Sequence, residues 1–307
     1  MRLTTALTAV AALAATPTLA DCQHIVFSDV GWTDITSTTA TATLVLEALG
    51  YETETLVLSI PITLQSLATG DVDVYLGNWM PSMEADIAPY RDAGTIDTVR
   101  VNLVGAKYTL GTNGAGAALG IADFADIAAQ ADALGGQIYG IEPGNDGNRL
   151  ILEMVEADAF GLGDFDLVES SEQGMLAQVA RADSRDEPVV FLAWEPHPMN
   201  ANFDITYLSG GDDWFGPDFG GAEVRTNTPA GWVEECPNVG RFLQNLEFTL
   251  AMENEIMAAI LDDGLEPRDA AKAWLADHQD VLGPWLDGVT TIDGGDAMEA
   301  VTAALAG

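Results

Sequence analysis

Apolar and polar positions along this chain switch repeatedly between a period of two and a period near 3.6, and the switches mark its elements. His24-Ile25-Val26-Phe27 reads as a strand, after which Gly31 opens a turn. Thr36 to Leu49 places apolar residues at helical spacing and stops at Gly50, and Glu52 to Leu58 then alternates as a second strand. A short helix is expected from Ile62 to Ala68, closed by Gly70, and Asp71 to Leu76 is a third strand whose end delivers Trp79. Strand, helix, strand, helix, strand is the pattern of a parallel sheet with helices on its faces.

Val99 to Leu110 reads as a crossing strand that leaves this first unit, and the same alternation then restarts. A helix is expected around Ile121 to Ala133, a strand at Gln137 to Ile141, a helix from Arg149 to Phe160, a strand around Phe165 to Glu169, and a helix from Glu172 to Asp183. Val189 to Trp194 is the most apolar strand outside the N-terminal leader. Residues 201–235, rich in Gly, Asp and Pro, are expected to carry the return crossing. Helices from Gly240 to Ala259, Pro267 to Ala276 and Asp296 to Leu305 complete an α/β chain, long enough for two lobes of ordinary domain size.

The N-terminus changes where this fold would reside. Met1-Arg2 is followed by a short, mostly apolar run from Ala6 to Ala15 and by Thr18-Leu19-Ala20, the layout of an export signal cleaved after Ala20. That run is shorter than the ~20 apolar residues a membrane span needs. A soluble, exported, periplasmic protein is expected. Its two cysteines, Cys22 and Cys236, are an even number in an oxidising compartment, which admits a disulfide or two unpaired buried thiols. Acylation of Cys22 is disfavoured because Asp21 separates it from the small residues of the cleavage site. The formal charge of −37 excludes nucleic acid and anionic lipid as natural partners. It fits a salt-adapted surface as well as it fits attraction of cations.

Candidate chemistry gathers at the strand ends, where open α/β sheets bind their ligands. Trp32 follows the first strand, Trp79 and Trp194 come at or just after two others, and Tyr108 lies on the crossing strand. Rings turned inward would attract a quaternary ammonium ion, which has no proton to donate. Trp274 and Trp285 fit core packing in the helical C-terminal part, and Trp214 and Trp232 lie in loops. Asp34 either faces the same cleft or caps the helix expected at Thr36. Glu142-Pro143-Gly144-Asn145-Asp146-Gly147-Asn148 is a turn of the kind that binds anions through backbone N–H groups, but it lacks the Lys and Ser/Thr of a phosphate loop. Side-chain contact from Asn145 is the better reading. Gly111 to Gly120 departs from a dinucleotide fingerprint at Leu119 and reads as a hinge or turn.

Catalysis has little support. His24, His197 and His278 are scattered, and there is no Gly-x-Ser-x-Gly elbow, His-Glu-x-x-His or cysteine cluster. No metal, cofactor or catalytic residue is assigned.

Five motifs, taken in order, resemble the periplasmic choline-binding proteins of ABC importers, within the larger group that binds glycine betaine and related amines. They are Gly31-Trp32-Thr33-Asp34, Gly77-Asn78-Trp79-Met80-Pro81, Lys107-Tyr108-Thr109-Leu110, Glu142-Pro143-Gly144-Asn145 and Trp194-Glu195-Pro196-His197-Pro198-Met199. The resemblance implies a two-lobed periplasmic binding protein fold of type II, each lobe a mainly parallel sheet with flanking helices, joined by two crossing strands. The lobes implied are 21–107 with 212–307, and 108–211. It also implies an ammonium cage of Trp32, Trp79, Tyr108 and Trp194, a polar end at Asp34 and Asn145, and a Cys22–Cys236 disulfide. The implied partners are choline or a related quaternary amine and an inner-membrane permease, with the protein working as a monomer.

The residues themselves discriminate among ligands. Glycine betaine carries a carboxylate that needs donors or a cation once buried. Lys107 is expected to face away from Tyr108, and Asp34 would repel a carboxylate, so choline fits better. The alternatives are a binder of glycine betaine or carnitine, a sensor that signals through another partner, and an enzyme acting on a choline ester with Asp34 or Glu195 as base.

Overall fold

Strand pairing runs without a break from one side of the molecule to the other. The computed structural model describes residues 22–307, and the expected leader and its cleavage site after Ala20 lie outside the described residues. The strands are β1 (His24–Asp29), β2 (Glu52–Val57), β3 (Val74–Met80), β4 (Ile96–Thr112), β5 (Gln137–Tyr139), β6 (Asp166–Val168), β7 (Val190–Glu195), β8 (Thr206–Tyr207) and β9 (Gly221–Pro229). Their order is β2-β1-β3-β9-β4-β7-β5-β6, with β8 beside β4. β1 pairs in parallel with β2 and β3, and β5 pairs in parallel with β6 and β7. These two parallel sets are the two lobes.

Between them run the two antiparallel crossing strands. β4 is paired with β9 from Ile96 to Lys107 and with β7 from Lys107 to Thr112, so Lys107 is opposite both Gly221 and Glu195. One 17-residue strand thus belongs to both lobes.

Several elements begin or end away from their expected places, each for a physical reason. The first helix runs Thr33–Ala48 and starts three residues early, with Trp32 at its N-cap and Asp34 inside its first turn. Asp34 is therefore not the cap. The helix buries many threonines, and their hydroxyls are satisfied locally: Thr41 and Thr43 donate to the carbonyls of Ser37 and Thr39, both at 2.8 Å. β3 continues through Gly77 to Met80 because Asn78, Trp79 and Met80 pair with Arg225, Val224 and Glu223 of β9, which overrides weak local strand propensity. Trp79 accordingly sits in the strand.

The helix expected over Ile121 to Ala133 is broken into short turns. The one expected from Arg149 runs Asp146–Glu156, because Asn145 Oδ1 accepts the Asn148 N–H at 3.0 Å and caps it earlier. Gly240 to Ala259 is two helices, Pro237–Asn245 and Leu250–Leu261; the Phe248 N–H between them donates to the Asn102 carbonyl of β4 at 2.7 Å. Gly111 to Gly120 is a turn only at its end, Leu119-Gly120. Gly111 lies in β4 and Gly114–Ala118 is a short helix, where a Cβ on Gly116 would come within 1.9 Å of the Thr112 hydroxyl.

Cys22 and Cys236 form a disulfide across a sequence separation of 214, with their Cα atoms 5.4 Å apart. The bond ties the start of β1 to the helix that follows β9, within one lobe. It also occupies the thiol that acylation would need. Closing so long a loop should contribute about 2–5 kcal/mol. Replacing both cysteines by serine is expected to lower the thermal midpoint by roughly 5–15 °C at that scale while ligand stoichiometry is unchanged. Calorimetry of both forms checks this, and equal midpoints would show that the crosslink contributes nothing.

Candidate ligand-binding site

Where the lobes face each other, Trp32, Asp34, Trp79, Tyr108, Ile141, Asp146 and Trp194 line a small cavity with about 270 Å³ of empty space. Trp32 comes from the turn after β1, Trp79 from the end of β3, and Ile141 from the segment after β5. Tyr108 and Trp194 are directly paired across β4 and β7, which puts both rings on one face of the sheet. The Trp79 and Tyr108 centroids are 6.0 Å apart with planes at 59°, and those of Tyr108 and Trp194 are 6.2 Å apart at 78°. Steep angles make walls rather than a stack. Phe215 supports Tyr108 from outside, edge to face at 5.9 Å. A Cβ on Gly147 would lie 2.1 Å from the Tyr108 hydroxyl, so only glycine lets the helix start pass behind this ring.

Each of two indoles is fixed by a carboxylate. Trp79 Nε1–H donates to Asp34 Oδ2 at 2.9 Å, and Trp32 Nε1–H donates to Glu142 Oε1 of the opposite lobe at 2.8 Å. These bonds hold the ring edges outward and leave the negative faces to the cavity. Tyr108 donates its hydroxyl to Asn145 Oδ1 at 2.9 Å, and Asn145 Nδ2 donates to Asp146 Oδ1 at 3.1 Å.

The cavity is rich in carboxyl groups, and burial favours their neutral forms. Burial pushes Asp34 up to about 7, with the Glu172 carboxylate adding to the effect and the Trp79 bond opposing it. Burial likewise raises Glu142 to about 7 and Asp146 to about 6. Ser82 lies close enough to Asp146 to lower its value, but its hydroxyl is directed at the Trp79 carbonyl. Asp146 Oδ2 is buried with no hydrogen-bond partner. An unpaired buried carboxylate oxygen on the wall of a cavity is a seat for a cation or a hydroxyl donor.

Of the residues expected from the sequence, Trp32, Asp34, Trp79, Tyr108 and Trp194 are brought together around one space. Asn145 stands behind it, touching Tyr108 and Asp146. Sequence reasoning missed Ile141, Glu142, Asp146 and Gly147 as parts of the site. Three of them belong to the turn singled out for Asn145, whose density of carboxylates was the available signal. Lys107 points away, ion-paired to Glu195 at 3.2 Å and 5.6 Å from the Tyr207 ring centre. Arg149 is engaged by Asp86 and the Ser82 carbonyl. Among the described residues, no lysine, arginine or histidine lines the cavity.

Two lobes sharing crossing strands, with an aromatic, carboxyl-lined cavity where they face each other, are the architecture of a substrate-binding protein. The family described as the substrate binding domain of ABC-type glycine betaine transport systems matches residues 23–277, and the chain belongs to it. It is the substrate-binding component of an ABC transporter, a carrier and not an enzyme. The chain is 66% identical to a structure of an ABC-transporter choline binding protein in complex with choline, over 92% of this chain and 98% of that one, with a TM-score of 0.92. Against the structure of an ABC-transporter choline binding protein in an unliganded semi-closed conformation, the identity is also 66%, with 93% and 99% covered and a TM-score of 0.86. Over 128 residues, 42% of this chain and 41% of the relative, it is 30% identical to the glycine betaine/carnitine transport binding protein GbuC of Listeria monocytogenes serotype 1/2a (strain 10403S).

The raised carboxyl values have opposite consequences for folding and binding. In the empty protein Asp34, Glu142 and Asp146 hold protons that an unfolded chain would release, so their contribution to stability is full below about pH 4 and is lost as pH rises through 6 to 7. A bound cation favours the ionised forms, so affinity should rise over the same window. Titration with tetramethylammonium at pH 5, 6.5 and 8 is expected to show binding about tenfold or more weaker at pH 5 than at pH 8. Equal affinity at both ends would mean that none of the three carboxyls changes ionisation on binding.

Proposed function

We propose that this chain captures choline in the periplasm and presents it to the permease of an ABC importer. The observation that carries the reading is a cavity walled by four aromatic rings and two carboxylates with no cation among its lining residues. The ammonium group would occupy the space among Trp32, Trp79, Tyr108 and Trp194, near Asp34. The hydroxyl would reach the unpaired Oδ2 of Asp146, beside Asn145. The 66% identity to a choline binding protein supports the same ligand.

Glycine betaine fits less well. Its carboxylate would lie against Asp34 and Asp146 without a donor, since Lys107 and Arg149 are held elsewhere. The lobes of this reading are 21–107 with 212–307, and 108–211, a division supported by the change of partner of β4 at Lys107. The mature protein would begin after Ala20.

Cation-π contacts of up to ~2 kcal/mol per desolvated ring give roughly 4–8 kcal/mol over four rings. Micromolar affinity needs about 8 kcal/mol net, so methyl burial and lobe closure must contribute the rest. Isothermal titration of the mature protein should show one choline per chain, with glycine betaine weaker. Trp79→Ala should lose well over tenfold in choline affinity, about 1.4 kcal/mol or more. No response to choline, or a variant that binds as the parent does, would overturn the cage assignment.

A further inference from the structure

The first helix has a defect at the edge of the cage. A helix leaves its first N–H groups without intrahelical acceptors, and a side-chain oxygen at the N-cap normally takes one. Here the N-cap is Trp32, whose indole offers no acceptor, and no side-chain cap bond is made. The oxygen arrives instead from the other lobe. Glu172, the first residue of the helix Glu172–Asp183, accepts the Thr33 N–H at 2.9 Å with Oε2 and the Thr33 hydroxyl at 2.5 Å with Oε1.

His197 supports the same carboxylate. Its Nδ1 accepts the Met199 N–H at 2.9 Å, which leaves the ring proton on Nε2, 3.3 Å from Glu172 Oε1. The imidazole also packs edge-on against the Trp194 ring, centroids 5.0 Å apart. Glu172 and His197 are each only 1% exposed, and neither lines the ligand cavity. A chain of contacts therefore runs from Trp194 in one lobe through His197, Glu172 and Thr33 to Trp32 in the other.

We propose that Glu172 is a positioning residue that latches the closed state, capping the Thr33–Ala48 helix across the cleft and, with His197, setting Trp32 opposite Trp194. The charge suits the place, because a helix N-terminus stabilises an anion and bonds to ionised acceptors are stronger than neutral ones. Opening the lobes returns the Thr33 donors and the carboxylate to water. Since the ligand is enclosed only in the closed form, the latch adds to affinity without touching the ligand, and its effect falls on the dissociation rate.

This inference rests on the choline reading for its probe and is tested by stopped-flow dissociation of choline from the full mature protein, read by tryptophan fluorescence. Glu172→Gln is expected to speed dissociation by about 5- to 150-fold, the range of ordinary conformational couplings. Thr33→Val, which removes only the hydroxyl donor, should do so to a smaller extent. The double variant should lose less than the product of the two, because both remove one contact. The ratio of choline to tetramethylammonium affinity and the thermal midpoint of the ligand-free protein should remain those of the parent. A parent-like dissociation rate, an altered ligand ratio, or a ligand-free midpoint that falls as far as the liganded one would overturn the latch. If the parent does not bind choline, the ligand reading fails by itself, and small-angle scattering of the ligand-free proteins decides the latch. A more expanded Glu172→Gln supports it, and equal radii overturn it.

Discussion

A charge without a proton cannot be gripped by hydrogen bonds, so a site for it must be built from ring faces and from carboxylates kept away from water. Burying those carboxylates is the demand to which the rest of this structure responds. Each would be costly alone. Asp34 is made tolerable by the Trp79 indole and Glu142 by the Trp32 indole, and the same two bonds aim the rings. Stabilising the anions and orienting the walls are thus one operation. The exception is Asp146 Oδ2, which makes no hydrogen bond among the described residues, although Ser82 lies near it. Asp146 lines the cavity, and under the proposed reading a ligand hydroxyl would donate to this oxygen.

The sheet supplies the walls from both sides. Because β4 changes partner at Lys107, Tyr108 is the first residue of that strand paired solely with β7, and its ring stands beside that of Trp194. Trp79 arrives from β3, held in register by β9, the second crossing strand. The same two strands that join the lobes therefore carry or brace three of the four rings. Lobe motion and cage geometry are coupled through the backbone, since any twist of β4 against β9 moves Tyr108 relative to Trp79. Gly147 and Phe215 then hold the Tyr108 ring from behind.

Much of this was legible in the sequence, and the failures are informative. Strand-helix alternation gave the α/β class, and the motif resemblance named five of the cavity residues and the disulfide. Boundaries failed where tertiary contacts overrode local preference. The Gly77-Asn78 step is a poor strand on its own and becomes one by pairing with β9. Asp34 reads as a possible cap for a helix from Thr36 and instead lies in the first turn of a helix that starts at Thr33. Asp146 was passed over in favour of Asn145 because only a three-dimensional view shows which of two adjacent polar side chains reaches the cavity and which serves the Tyr108 hydroxyl.

The acidic surface needs no part in this account. Most of its carboxylates are exposed and screened over ~8 Å at physiological salt, whereas the few around the cavity are buried or half-buried, and Asp34 and Glu142 are each bonded to an indole. In the proposed reading, selectivity between a cation bearing a hydroxyl and one bearing a carboxylate rests on those few. A binder of carboxylated amines with this scaffold would need a donor where Asp146 stands, and the two nearest candidates are already committed. Arg149 bonds Asp86 and Ser82, and Lys107 bonds Glu195 on the outer face of β4. Freeing either would unpair Asp86 or Glu195, so in the proposed reading these ion pairs help to define the ligand by holding both cations elsewhere.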